Sequence, residues 1–326
     1  MKAIVCRAFA PVDQLSLEDM PSRPLRANEV RVHVRAAGVN FPDSLKVEGQ
    51  HQIKPELPWV PGSETGGVVD EVGSSVTGFK HGDRVMGVSE AIGGGFAQEI
   101  VLPDQRVFHL PDALTFEQAA AVPVVYGTSL YALKQKGRLQ PGETLLVLGA
   151  AGGVGLATVQ LGKAMGARVI AAASTEAKRL LTLEHGADAV IDYTLPDWRA
   201  EVKQLTGGKG ADVVYDPVGG DAFDEAVRAV AFDGRYLVIG FTAGRIPTLK
   251  VNMPLVKGYD LVGVRYDVWR DGWWADARKN LDDVLGLCAQ GKLRPLVSAT
   301  YPLEDAARAM QSITGRQITG KVVLVN

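Results

Sequence analysis

Leu145-Leu146-Val147-Leu148-Gly149-Ala150-Ala151-Gly152-Gly153-Val154-Gly155 decides the fold. An apolar, β-prone run enters a glycine-rich turn, and helical periodicity follows over residues 154–165. Gly152 lets backbone approach a pyrophosphate, Gly155 permits close helix–strand packing, and the helix N-terminus faces the negative charge. Ala150 stands at the first glycine position of G-x-G-x-x-G, a departure from the generic fingerprint. Taken alone, the loop also fits a plain tight turn between strand and helix. The flanking alternation decides for dinucleotide binding through Ala150, Gly152, Gly153, Val154 and Gly155. Strands are expected at 144–148, 168–172, 189–191, 213–215 and 235–239, with helices near 154–165, 176–184, 198–206 and 222–230. Parallel strands need such crossovers, so the segment predicts a doubly wound α/β sheet.

Outward from that block the texture changes. Residues 1–120 hold short β-branched runs at 2–6, 29–36, 67–72 and 84–88, broken by Gly, Pro and Asp, which predicts a β-rich domain. The tail from about residue 268 offers an amphipathic helix at 277–289 and a strand at 321–325, and is expected to return to the first domain. With 326 residues, 46% of them hydrophobic, the chain exceeds the size at which single cores usually split.

A net charge of −2 gives no basic field for nonspecific nucleic-acid binding, so small-molecule chemistry is expected. Two distant cysteines, Cys6 and Cys288, make neither a disulfide framework nor a four-thiolate zinc site. No stretch of about 18 consecutive apolar residues is present, so no membrane partner is expected and the location expected is cytoplasmic.

The end of the second strand bears on cofactor choice. An Asp or Glu there would hold an adenosine ribose 2′-hydroxyl, but the chain reads Ala171-Ala172-Ala173-Ser174. Without that carboxylate a 2′-phosphate is not repelled, while Ser174 can donate a hydrogen bond and Lys178 can supply charge. NADPH is therefore expected over NADH. A solvated Lys178 on a helix surface is the plain alternative.

Four blocks then resemble the zinc-independent quinone oxidoreductase (zeta-crystallin-like) branch of the medium-chain dehydrogenases/reductases, over nearly the full chain. They are Ala37 to Asp43, Leu57 to Glu64, Ala150 to Gly155, and Tyr215 to Gly220. The resemblance implies a Rossmann NADPH-binding domain (124–267) inserted in a GroES-like β-rich catalytic domain (1–123 and 268–326), with an active cleft between them and a homodimer as the assembly. It adds Tyr193 to Ser174 and Lys178 around the 2′-phosphate, and carries a cofactor role to Val218, Gly240, Phe241 and Arg265. Asn40 and Asp43 would line the nicotinamide end, Asn40 as a polar contact and Asp43 as its orienter. Tyr126 and Thr128 would lie on a helix beginning beside the nicotinamide. For these residues a turn, a helix cap or edge packing are the structural alternatives.

Zinc alcohol dehydrogenases of the superfamily place Cys at the position of Asn40 and His at that of Ser63, so no metal site is expected here. Without a Lewis acid, the chemistry implied is hydride delivery to an acceptor activated by conjugation, a quinone or an α,β-unsaturated carbonyl. His51 stands where many relatives carry a Tyr that is a candidate proton donor. Histidine could protonate the carbon, or sit exposed on a loop while solvent does so. Trp269, Trp273 and Trp274 could cover an aromatic acceptor or serve packing. An enoyl-thioester reductase is the nearest alternative, to be told by a basic patch at Arg265, Arg270 and Lys54. A non-catalytic NADPH-binding or RNA-binding protein is the more distant one.

Overall fold

A computed structural model describes residues 1–90, 93–315 and 318–326. The chain begins β1 (Lys2–Val5), β2 (Ser16–Asp19), β3 (Glu29–Val39), α1 (Phe41–Val47), β4 (Glu64–Val72), β5 (Arg84–Val88), β6 (Glu99–Pro103), β7 (Val107–His109) and α2 (Phe116–Ala119). It continues with α3 (Val125–Leu130), β8 (Thr144–Val147), α4 (Gly153–Ala164), β9 (Arg168–Ala172), α5 (Glu176–Glu184), β10 (Ala189–Ile191) and α6 (Trp198–Leu205). Then come β11 (Ala211–Asp216), α7 (Gly220–Ala226), β12 (Val230–Val238), α8 (Asn252–Lys257), β13 (Asp260–Gly263) and α9 (Tyr266–Gly272). The chain ends with α10 (Trp274–Ala289), β14 (Val297–Pro302), α11 (Ala306–Thr314) and β15 (Lys321–Val325).

Two units form. One comprises Met1–Val124, Trp273–Gln290 and Pro295–Asn326; the other comprises Val125–Gly272 and Gly291–Arg294. In the second, six parallel strands lie in the order β10-β9-β8-β11-β12-β13. Counted from β8 this is 3-2-1-4-5-6, the order of doubly wound dinucleotide-binding sheets, and it reverses direction between β8 and β11. Leu146, Leu148, Ile170, Ile191, Val214, Phe223 and Tyr236 belong to the core on one face of this sheet. Gln160, buried on α4, explains why a short stretch after α10 belongs here: its side-chain amide donates to Arg294 O at 3.1 Å and accepts from Arg294 N at 2.6 Å.

The expected alternation is present, with two differences. The fifth strand, expected at 235–239, begins at Val230, and Asp233-Gly234 lies in a bulge inside β12, where Ala211 of β11 pairs with Val230 but Val213 pairs with Arg235, and Asp233 takes φ 60°. The helix expected near 222–230 accordingly stops at Ala226. A sixth strand, β13, is short and mostly exposed, so no apolar alternation announces it.

In the first unit the order is β14-β15-β3-β4-β5-β7, with β6 also pairing β3. β15 is parallel to β14 and antiparallel to β3, with Val322 opposite Val39. The C-terminal strand is thus bonded into the sheet of the N-terminal segment. Val30, Val32, Val34, Val69, Val85, Ile100, Val322 and Leu324 form the core with Met310 from α11.

Candidate active site

In the second unit the glycine loop leaves β8 at the switch point. Gly149 takes φ +57°, and a Cβ on Gly155 would fall 2.3 Å from Gly149 O and 2.8 Å from Ala150 Cα. Gly149 therefore makes the tight turn, which is why Ala150 is tolerated at the first fingerprint position. Ala150 is buried and donates its N–H to Ala172 O of β9 at 3.0 Å. A Cβ on Gly152 would meet only Gly149 O, at 3.4 Å, so the space that its missing side chain leaves is open. Gly152 is also the N-cap of α4, and no side chain caps that helix. Gly153, Val154 and Gly155 thus form an uncapped first turn, and uncapped helix N-termini suit anions. Behind the loop, Val154 O accepts from the hydroxyls of Thr158 (2.7 Å) and Ser129 (3.1 Å), and Ser129 Oγ lies 3.2 Å from the buried Tyr215 hydroxyl. Burial pushes Tyr215 up to about 12, so it stays a neutral hydroxyl at ordinary pH.

Ser174, half-buried, stands two residues past the end of β9. Thr175, not Ser174, caps α5 by accepting Lys178 N–H at 3.3 Å. Lys178 and Tyr193 are half-buried, and Tyr193 packs against the core. Asp192 accepts from Arg179 Nη1 (2.6 Å) and from the hydroxyl (2.6 Å) and N–H (3.0 Å) of Thr194. These bonds, the Thr194 hydroxyl foremost, hold Asp192 below its ordinary value.

At the end of β11, Asp216 is buried and accepts from Val218 N (2.7 Å), Gly219 N (2.9 Å) and the Tyr236 hydroxyl (2.7 Å). Burial raises its carboxyl and the donors oppose the rise. This fixes the turn carrying Val218, whose side chain packs over Gly149. Gly240 N bonds Asp216 O at 3.3 Å, and the Phe241 ring lies against Gly219. Arg265, just past β13, is paired with Asp267 at 2.7 Å. Tyr126 is buried on α3, and Thr128 is half-buried inside that helix, past its cap position.

In the first unit three strand ends converge. β3 ends beside Asn40, β4 starts at Glu64, and β15 starts at Lys321 with Val322 opposite Val39. Asn40 Nδ2 donates to Glu64 Oε1 at 2.7 Å, and its Oδ1 accepts from Lys321 Nζ at 2.7 Å. Lys321 Nζ also reaches Glu64 Oε1 at 2.6 Å and Val39 O at 3.0 Å, while Glu64 Oε2 takes Val124 N–H at 2.7 Å. Gly38 makes room for this carboxylate, since a Cβ there would sit 2.3 Å from Glu64 Oε1. Asp43, in the first turn of α1, accepts Asn40 N–H at 2.9 Å. Burial pushes its carboxyl up to about 6, opposed by the charge of Lys46, the Asn40 N–H and Lys321. His51 follows α1 half-buried, its Nδ1 accepting Ile53 N–H at 3.0 Å, so a neutral ring carries its proton on Nε2.

Both segments match known family profiles: residues 26–112 the "Alcohol dehydrogenase GroES-like domain", and residues 153–281 the "Zinc-binding dehydrogenase" domain. A quinone oxidoreductase-like protein 2 homolog from Nematostella vectensis is 42% identical over 326 residues, covering 99% of this chain and 88% of that protein. The chain belongs to the quinone oxidoreductase family of the medium-chain dehydrogenases/reductases. The crystal structure of Escherichia coli quinone oxidoreductase complexed with NADPH superposes at TM-score 0.89, with 30% identity and 100% of both chains covered. A structure described as an NAD-dependent alcohol dehydrogenase superposes at 0.92, with 33% identity and 100% of both chains covered.

The donors present in this quinone oxidoreductase family member do not fit a catalytic zinc, although one matching profile carries zinc in its description. Asn40 offers an amide already bonded at both ends, and Ser63 a hydroxyl. Zinc sites are built from thiolate, imidazole and carboxylate. Among the described residues no group of three His, Cys, Asp or Glu is placed to hold a metal ion. Cys6 and Cys288 are both buried, and burial pushes the Cys288 thiol up to about 12.

The tryptophans separate. Trp269 stacks on Tyr131, centroids 4.2 Å apart. Trp274 carries Arg106 over its ring at 4.3 Å and donates to Gln105 O, while Trp273 is exposed. Of the basic residues that would mark a carrier-phosphate patch, Arg270 is buried and bonded to Asp271 at 3.0 Å, Arg265 is paired with Asp267, and Lys54 is exposed. No role is expected from sequence for Lys321 with Glu64 in the first unit, nor for Asp216, Ser129 and Thr158 in the second. The signal for two of them is a charge at the edge of an apolar strand, Lys321 before Val-Val-Leu-Val and Asp216 after Val-Val-Tyr.

Proposed function

We propose that this chain is an NADPH-dependent, zinc-independent reductase of quinones or other activated alkenes such as α,β-unsaturated carbonyls. The observation that carries the reading is Asn40, whose amide is held by Glu64 and Lys321 at the position where zinc relatives carry a cysteine. The protein thus offers a neutral polar group there and no Lewis acid, which suits acceptors that conjugation has already activated. NADPH, when bound, supplies the hydride.

The residues of the chain do the rest. The uncapped turn Gly152–Gly155 would hold the pyrophosphate. Ser174, Lys178 and Tyr193 would hold the 2′-phosphate, and Val218, Gly240, Phe241 and Arg265 would contact the cofactor beyond the later strand ends. Thr128 would hydrogen-bond beside the nicotinamide, with Tyr126 buried behind it. His51, once protonated to the imidazolium, would give a proton to the carbon left as a carbanion after hydride has reached its neighbour, and would return to the neutral ring. The fold alone selects neither cofactor, because the two solved relatives described above differ in it. Ser174 in place of a carboxylate favours NADPH.

The test is NADPH oxidation against one panel of quinones, enones and enoyl thioesters. Turnover with quinones or enones supports the proposal, and turnover confined to thioesters, or none at all, refutes it. His51→Phe should lower enone turnover and flatten its pH profile while leaving NADPH affinity intact.

A further inference from the structure

The pocket proposed for the 2′-phosphate contains a contradiction that one residue resolves. β9 and β10 pair with Ile191 opposite Ala172, and Ala173 N bonds Ile191 O at 3.1 Å. Both strands stop there, with Ala173 and Ser174 following β9 and Asp192 and Tyr193 following β10, and the Arg179 guanidinium bonds both Asp192 and Ala173 O. A carboxylate thus stands next to Tyr193 in the chain and is tied to the residue before Ser174, and Tyr193 and Ser174 are two groups meant to receive a phosphate. A carboxylate at the end of the second strand is the usual device for excluding a 2′-phosphate, and here it arrives from the third.

Arg179, on α5, meets it. Its Nη1 donates to Asp192 Oδ2 at 2.6 Å and to Ala173 O at 3.3 Å. One guanidinium therefore neutralises the carboxylate and ties together the two strand ends that carry Ser174 and Tyr193. The pair is half-buried, with side chains 21% and 17% exposed, so solvent screens it somewhat less than a fully exposed pair. The other Asp192 oxygen is taken by Thr194.

We propose that Arg179 is a specificity-determining positioning residue, which lets the chain accept a 2′-phosphate by holding Asp192 away from it. The inference rests on the NADPH reading and names the group that makes that reading possible despite Asp192. It turns on charge, so removing the arginine and then the carboxylate must act in opposite directions.

Isothermal titration of NADPH and NADH, and of 2′,5′-ADP against 5′-AMP, at fixed ionic strength tests it without turnover. Arg179→Met should weaken NADPH and 2′,5′-ADP about tenfold or more while NADH and 5′-AMP change less than about twofold. Adding Asp192→Asn to that variant should restore most of the loss. Asp192→Asn alone leaves Arg179 uncompensated and should tighten NADPH severalfold, and this variant decides the matter if Arg179→Met does not fold. An unchanged NADPH-to-NADH ratio in Arg179→Met, no recovery in the double variant, or no tightening in Asp192→Asn overturns the proposal. A parent protein that binds both cofactors equally overturns the NADPH reading itself, whereas a discriminating parent with insensitive variants removes only the role of Arg179.

Discussion

The ammonium of Lys321 lies 2.6 Å from the carboxylate of Glu64, and neither side chain is more than 5% exposed. Such a pair need not add stability by existing, but removing one partner strands a buried charge, which typically costs about 3–5 kcal/mol. Lys321→Met should destabilise the protein by about that much in urea titrations, with Asn40 losing a donor as well. Lys321→Met combined with Glu64→Gln should recover part of the loss, because no unpaired charge then stays buried, while the single amide oxygen can accept from Asn40 Nδ2 or Val124 N–H but not from both. Equal losses in the single and double variants would show that packing, not charge, dominates there.

Asp43 gives a pH dependence with a definite sign. Its folded value of about 6 lies above its ordinary 3.8, so between those values the folded state binds more protons than the unfolded. Stability contributed by this group is therefore present below about pH 4 and lost as pH rises through 6, by about 3 kcal/mol in all. Asp43→Asn keeps an acceptor for Asn40 N–H but cannot titrate. Urea midpoints of the two proteins between pH 4 and 8 should diverge, the variant becoming the more stable as pH rises. Parallel curves would refute the assignment.

The zinc prediction follows from the same corner of the first unit. Purified protein should carry no stoichiometric zinc and should keep NADPH-dependent quinone reduction in chelator, since Asn40 and Ser63 offer an amide and a hydroxyl. Elemental analysis decides it, and one zinc per chain would contradict the proposed chemistry.

How far the sequence disclosed all this depends on the range of the interaction. The loop Gly149 to Gly155 is local, so its glycines could be read directly, including Ala150 as the exception that Gly149 makes possible. β12 starts ahead of the expected 235–239 because Val230 pairs with Ala211 before a bulge breaks the register, a pairing that no local pattern carries. Asn40 could be singled out by resemblance, but its partners stand 24 and 281 positions away. Only the pairing of β15 with β3 brings Lys321 there. Arg179 and Asp192 are 13 apart on different elements, and nothing in either local pattern announces that they meet.

A homodimer is expected from the family resemblance, and the second unit offers a surface for it. Among the described residues β13 pairs only with β12, leaving an open sheet edge. Phe232, Val251, Leu255 and Val256, from β12 and in and beside α8, are 74–87% exposed. A second copy presenting the same edge would satisfy the backbone and cover the apolar side chains with twofold symmetry. Light scattering should give a dimer mass, and Val251→Glu with Leu255→Glu should give a monomer that still binds NADPH. A monomeric parent would overturn the expectation.

Cofactor preference is the most direct test of the pocket at the ends of β9 and β10. The 2′-phosphate is close to dianionic, and a hydrogen bond to a charged group contributes about 1.5–3 kcal/mol, so Ser174 and Lys178 should give roughly tenfold or greater discrimination. Lys178→Ala should lower kcat/KM for NADPH and barely change it for NADH, because only NADPH carries the group that Lys178 is proposed to meet. Ser174→Asp should go further, repelling the phosphate and offering an acceptor to the ribose hydroxyl of NADH. Measured with one quinone at fixed ionic strength, since salt weakens such contacts, the two variants should fall on the same side of the parent, with Ser174→Asp the lower in NADPH-to-NADH ratio. Equal efficiencies in the parent, or equal losses for both cofactors in Lys178→Ala, would show that the ribose end of the site recognises something other than a phosphate.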